Sequence, residues 1–168
     1  MFQMTLEREQ RLKKLFDRTH AGIKPGLSLM EELLEVLENP HRDFLSVHVA
    51  GTNGKGSTCA LLESAVRCLG LKSGLFTSPH LIRVNERIQI DGLPMEDDLL
   101  DACLREIQNV EKSLSRLPTF FETLTATAFL GFKASGVQVA VLESGYTIIF
   151  FSTNVVEPLL SVITRVDF

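Results

Sequence analysis

Apolar residues recur at helical spacing over residues 4 to 18 and again over 28 to 38, where Leu29, Leu33, Leu34 and Leu37 share one face. The intervening HAGIKPG contains Pro25 and Gly26, which break the period, so the pattern predicts helix, turn, helix. Residues 44 to 50 form a short, mostly apolar run, as a buried strand requires. After a glycine-punctuated loop, helical spacing returns from about Ser57 to Leu69 and closes at Gly70. KSGLFTS predicts a second strand, and the connection SPHLIRVNERIQIDG closes on a short strand at Arg87 to Ile90. Two more helices are predicted. MEDDLLDACLREIQNVEKSL has acids in its first turns and leucines at helical spacing, and TFFETLTATAFLGFKASG repeats the pattern up to Gly136. VQVAVLE and LLSVITRV are β-branched, nearly all apolar and short, as parallel strands covered on both faces should be. Strands alternating with helices predict a three-layer α/β fold with a mostly parallel sheet, uninterrupted by repeats, low-complexity segments or an interdomain linker.

Composition narrows the function classes. At 168 residues and 45% apolar content, the chain suits one domain with a buried core. A formal net charge of -4 with interspersed signs supplies no basic field for nucleic acid, so an anionic ligand must be held by a local site. Cys59, Cys68 and Cys103 are odd in number and not closely spaced, which argues against a disulfide framework; all three are expected to be buried apolar residues. The N-terminal segment lacks the apolar core of a signal peptide, and no run of about 18 apolar residues occurs, so a cytoplasmic protein without a membrane partner is expected. His20, His41, His48 and His80 share no metal-ligand spacing; His48, inside an apolar strand, is expected to be a satisfied core histidine.

The candidate chemistry concentrates in AGTNGKGST, between a predicted strand and a predicted helix. A loop in that position presents unpaired backbone amides and the positive end of the helix dipole, and phosphate is the natural guest. Gly51, Gly54 and Gly56 let the backbone curl around an anion with Thr52 and Asn53 between them. Lys55 can reach the outer phosphates, and Ser57 or Thr58 can hold a magnesium ion or a phosphate oxygen. The spacing departs from G-x-x-x-x-G-K-[ST]: residue 49 is valine, and Gly56 separates the lysine from its hydroxyl partner. The plain alternative is a Gly/Asn-rich turn with a solvated lysine, which the flanking strand and helix disfavour.

AGTNGKGST, then LFTSPHLIRVNERIQIDG, TFFETLTATAF, VLESG and TNVVEPLLSVITRVDF, in that order, resemble the amino-terminal part of folylpolyglutamate synthase, in bacteria often bifunctional with dihydrofolate synthase. The related Mur ligases share a variant of the first motif but not the TSPH...NERI loop. The resemblance implies a P-loop nucleotide-binding domain like the central domain of the Mur ligases, working as an ATP-dependent, magnesium-dependent acid–amino-acid ligase of folate and one-carbon metabolism. Its partners would be small molecules, a pteroate or folate and L-glutamate, and a monomer is expected. Lys55 would be the catalytic cation, and Gly51 to Thr58 would bind ATP. Ser78 and Glu143 would be magnesium ligands, each at or near the carboxyl end of a predicted strand, where open parallel sheets bind ligands. Ser78 could equally be a turn or cap before Pro79, and Glu143 one half of a salt bridge. The turn Ile23, Lys24, Pro25 and Gly26 and the motif Thr119, Phe120, Phe121 and Glu122 would line the pteroate site, although one phenylalanine is expected in the core and Thr119 to Glu122 also reads as a helix cap. Asn85, Glu86 and Arg87 would order the loop over the site.

Two departures qualify this reading. Where the family typically shows VGLGGRLDATN, this chain has SGYTIIFFSTN, with Ile149 at the arginine and Phe151 at the aspartate. Agreement resumes abruptly at Thr153 and Asn154, as a local change of reading frame would produce. The run YTIIFF is expected to favour aggregation or partner binding, and the missing aspartate to impair pteroate recognition. The chain also stops at ITRVDF, where the family continues with a metal-binding histidine and a smaller second domain. Residues 1–168 are therefore expected to be a truncated amino-terminal ATP-binding domain of doubtful activity. A non-catalytic nucleotide- or partner-binding remnant and a Mur-type cell-wall ligase are the alternatives.

Overall fold

The structure, a computed structural model, describes residues 2–21, 26–145 and 152–167. Four parallel strands, β1 (Leu45–Ala50), β2 (Ser73–Phe76), β5 (Val139–Glu143) and β6 (Leu160–Ile163), carry the sheet. Two short antiparallel strands, β3 (Ile88–Ile90) and β4 (Leu93–Pro94), extend one edge, giving the order β4-β3-β2-β5-β1-β6. This is the mostly parallel α/β sheet that the apolar runs predict.

The period of two along each strand sorts side chains between two cores. Val47, Val49, Leu75, Val139 and Val141 face helix α3 (Lys55–Cys68) with Cys59. Phe76, Ile88, Ala140 and Leu142 face the opposite layer, built on α5 (Phe120–Ser135) with α4 (Asp97–Val110) and α2 (Ser28–Val36) around it. From Glu122 to Phe132 every residue of α5 is buried, which explains a helix apolar nearly all round. Helix α1 (Phe2–Asp17) docks outside through ion pairs, Arg11 with Asp101 at 2.5 Å and Arg8 with Asp97 at 3.1 Å.

Local chemistry shifts several predicted boundaries. Helix α3 starts at Lys55, ahead of the expected Ser57, because Gly54 adopts a left-handed φ of 83° as its cap. The helix expected over 95–114 runs from Asp97 to Val110 and ends in a 3-10 turn at Glu111–Ser113. The hairpin from β3 to β4 is an addition: Asp91 and Gly92 take φ of 50° and 78°, and the Asp-Gly pair was its readable signal. Two expectations fail. Cys68 is exposed, near the end of α3, while Cys59 and Cys103 are buried as expected. Strand β6 is not covered on both faces: Leu160 is 50% and Ile163 70% exposed, because β6 is the sheet edge opposite β4 and pairs only with β1 among the described residues. The run from Tyr146 to Phe151 lies outside the described residues.

Strand β2 meets α5 at Gly74, where an added Cβ would lie 2.9 Å from the Phe132 ring. Gly74→Ala is therefore expected to lower stability by about 1–3 kcal/mol through overpacking. Urea unfolding checks this, and an unchanged midpoint would show that the ring yields without cost.

Candidate functional site

The glycine loop leaves β1 at Ala50 and enters α3 at Lys55. Gly51 has φ of 136°, and a Cβ there would collide with the Thr164 hydroxyl, so the close approach to the β6 exit demands glycine. Thr52 and Asn53 donate their amides to the Arg165 carbonyl at 2.9 and 3.2 Å. Gly54, with φ of 83°, caps α3. The amide and hydroxyl of Thr58 both donate to the Gly54 carbonyl, at 3.0 and 2.9 Å, which closes the first turn of α3. The amides of Lys55, Gly56 and Ser57 precede any intrahelical acceptor and lie at the positive end of the dipole. Gly54 and Gly56 face open space where a Cβ would stand. This is the geometry of an anion cradle.

Strand pairing decides what faces the cradle. Val49 lies opposite Glu143, so period two along β5 brings the Glu143 carboxylate out on the α3 side at the carboxyl edge of the sheet. Lys55 Nζ lies 4.0 Å from Glu143 Oε1 and 3.2 Å from the Thr52 carbonyl. Ser78 donates its backbone amide to Glu143 Oε2 at 2.9 Å, which sets the two expected metal ligands side by side. Glu143 is 5% exposed. Burial pushes its carboxyl above the ordinary range, against the opposing pull of the Ser78 amide, Lys55 and Arg87. The glycine loop and the two strand-end residues thus meet, from three separate segments, at the carboxyl edge of the sheet.

Hard oxygen donors at Glu143 and Ser78 suit magnesium. Among the described residues no three His, Cys, Asp or Glu side chains converge as a metal cluster. The salt-bridge alternative for Glu143 is present in the same place, since Lys55 approaches it at the outer limit of an ion pair.

The second predicted group behaves differently. Thr119 caps α5, its hydroxyl accepting from the Glu122 amide at 3.3 Å while the Glu122 carboxylate accepts from the Thr119 amide at 2.7 Å. Arg116 donates both arms of its guanidinium to Glu122 at 2.9 and 3.0 Å. The capping interpretation therefore describes the motif's polar ends. Phe121 packs on Phe76, with ring centroids 5.7 Å apart. Phe120 points elsewhere: it stacks on Phe16 at 5.8 Å and lies under the Arg87 guanidinium at 5.3 Å. Ile23, Lys24 and Pro25 lie outside the described residues, and Gly26 is described with φ of 120°.

Around Phe120 the structure adds residues that sequence spacing does not link. Half-buried Arg87 donates from Nε to His80 Nδ1 at 2.7 Å, and His80 meets Phe16 edge-on at 6.1 Å. Burial and the neighbouring Arg87 lower the His80 pKa, keeping its ring neutral and able to accept. Glu86 anchors the loop by accepting from the amides of Leu81, Ile82 and Arg83 at 2.7, 3.1 and 2.7 Å, which holds its carboxyl below the usual range. Asn85 donates to the Met95 carbonyl at 2.8 Å. These residues order the TSPH-to-NERI loop, as expected. His48 is satisfied by Thr153, Nε2 to Oγ1 at 3.1 Å.

No family model matches the chain. Curated proteins and solved structures do. The chain is 42% identical over 154 residues to the dihydrofolate synthase/folylpolyglutamate synthase of Bacillus subtilis, covering 89% of this chain and 36% of that protein. The solved folylpolyglutamate synthase of Mycobacterium tuberculosis in complex with ADP superposes with a TM-score of 0.90 at 35% identity, covering 98% of this chain and 38% of that one. The bifunctional enzyme of Yersinia pestis, solved with AMPPNP and a manganese ion, gives 0.84 at 30% identity, covering 93% and 38%. The chain is thus a relative of the folylpolyglutamate and dihydrofolate synthases, with their fold, and spans between 19% and 36% of the length of the curated relatives it matches.

Two outcomes are expected from this geometry. Because burial raises the Glu143 pKa, its contribution to stability is fully present below the ordinary carboxyl range near about 4.3 and is lost as pH rises through the higher folded value. Glu143→Gln should therefore melt at or above the unaltered chain at about pH 8, with the gap closing toward pH 4; a gap that widens toward acid would contradict the assignment. Thr119→Ala should cost about 0.5–2 kcal/mol in urea unfolding through the lost cap, and an unchanged midpoint would leave the motif to ligand contact instead.

Proposed function

We propose that this chain is the ATP-binding part of a ligase that adds L-glutamate to dihydropteroate or to a (poly)glutamylated folate through an acyl phosphate. The observation that carries the proposal is the convergence of Lys55, the opening of α3 and the buried Glu143 at the carboxyl edge of the sheet. The relatives solved with ADP, and with AMPPNP and manganese, support a nucleotide and a divalent cation as its guests. Because the chain spans 36% of the Bacillus subtilis relative, the share of the reaction assigned to it is binding and orienting the nucleotide.

In the assigned reaction a substrate carboxylate oxygen bonds to the γ-phosphorus while the bond to the bridging oxygen of ADP breaks. The amine of glutamate then attacks the acyl carbon, phosphate leaves, and the nitrogen gives up a proton. Such chemistry needs alignment and charge neutralisation more than covalent help. The amides of Lys55, Gly56 and Ser57 would hold phosphate oxygens, and the Lys55 ammonium would offset the charge gathering on the outer phosphates. Magnesium would supply further charge neutralisation, and Glu143, Ser78 and a hydroxyl of Ser57 or Thr58 would be the residues to hold it. Buried Glu143 also holds Lys55 toward this edge of the sheet. The cluster of Phe120, Phe16 and Arg87 supplies aromatic and cationic surface suited to a flat heteroaromatic.

Titration with ATP and magnesium tests the nucleotide assignment. Lys55→Ala should weaken binding by at least about ten-fold, the scale of one charge-assisted hydrogen bond, in protein whose far-ultraviolet circular dichroism shows it still folded. Equal affinity in both proteins would reject Lys55 as the phosphate ligand. ADP release on adding dihydropteroate and glutamate would extend support to the whole reaction, whereas release only with a muramyl substrate would transfer the assignment to cell-wall ligation.

A further inference from the structure

The first half of the glycine loop is fastened to the chain leaving β6. Thr164 donates its amide to the Ala50 carbonyl at 2.8 Å, and the Arg165 carbonyl takes the amides of both Thr52 and Asn53. Two residues on, the Asp167 amide donates to Thr52 Oγ1 at 3.2 Å and the Asp167 carboxylate accepts from Asn53 Nδ2 at 2.5 Å. Arg165 Nε donates to the other carboxylate oxygen of Asp167 at 2.6 Å, which fixes the orientation of that carboxylate. Every partner in this clasp lies before Gly54, and the amides that open the helix lie after it.

We propose that Asp167 is a positioning residue for the phosphate cradle: by pinning Asn53 and Thr52 to the β6 exit, it keeps the first arm of the loop inward and leaves the amides from Lys55 to Ser57 facing one anion. The inference rests on the nucleotide reading of the loop and deepens it. Asp167 touches no part of the cradle itself. Its carboxylate acts through the Asn53 side chain, and the separation is built into the chain because Gly51 and Gly54 are the hinges on either side of the pinned pair. A loop without the pin would sample conformations in which the three amides no longer converge, and a ligand would have to select the competent fraction.

The test combines amide hydrogen exchange with ADP–magnesium titration on the full chain. Asp167→Ala should speed exchange at Thr52 and Asn53 by about ten-fold, the scale of one hydrogen bond to a charged group. It should also weaken ADP binding several-fold while leaving the melting temperature in place, since the Asp167 side chain is partly exposed. Asp167→Asn, which keeps a neutral acceptor for Asn53 Nδ2, should recover part of both effects. Unchanged exchange in Asp167→Ala, or an affinity loss matched by a fall in melting temperature and not rescued by asparagine, would overturn the proposal. If the unaltered chain binds no ADP, the nucleotide reading fails, while the exchange rates still decide whether Asp167 holds the loop.

Discussion

A carboxylate at the buried end of β5 is the constraint on which this end of the molecule depends. Glu143 continues an otherwise apolar strand, and such a group is costly to bury unless polar partners meet it. The partners come from two other segments, the Ser78 amide at the end of β2 and the Lys55 ammonium at the start of α3. Satisfying one carboxylate thus draws together the carboxyl ends of β1, β2 and β5. Burial still raises the Glu143 pKa against the pull of these partners.

The same economy appears in the neighbouring loops. Each is shaped by one acid that gathers donors from its own segment or the next. Glu86 collects three consecutive amides and so holds the loop after Ser78 in a tight arc. Glu122 takes the Thr119 amide and the fork of Arg116, fixing the entry of α5 beneath Phe120. Asp167 binds the outer arm of the glycine loop. Around this edge of the sheet, rigidity comes from charge-assisted hydrogen bonds to backbone and amide groups, which are about twice as strong as neutral ones. The apolar cores supply the platform beneath.

Much of this was legible along the chain. The two periods, 3.6 and 2, identify α5 and β5, and glycines 51, 54 and 56 before a helical pattern mark an anion loop, because these features depend on neighbours within a few residues. Glu143 stands out for the same local reason, as a charge closing an apolar run. Thr119 to Glu122 shows a limit: the pattern fits both a cap and a ligand contact, and the reciprocal hydrogen bonds of the cap are what the structure displays.

Other features had no local signal. The sequence by itself determined most of the strands and helices, where the glycine loop lies and which acid is buried, since period, glycine placement and a charge in an apolar run are all properties of short stretches. Only the tertiary structure decided that Val49 pairs with Glu143, that Phe16 stacks on Phe120, that Cys68 faces solvent, and that Asp167 reaches Asn53 across 114 positions. Strand order and the placement of α1 set those contacts, and both follow from how whole layers cover one another, a balance of burial summed over the entire chain that no single stretch encodes.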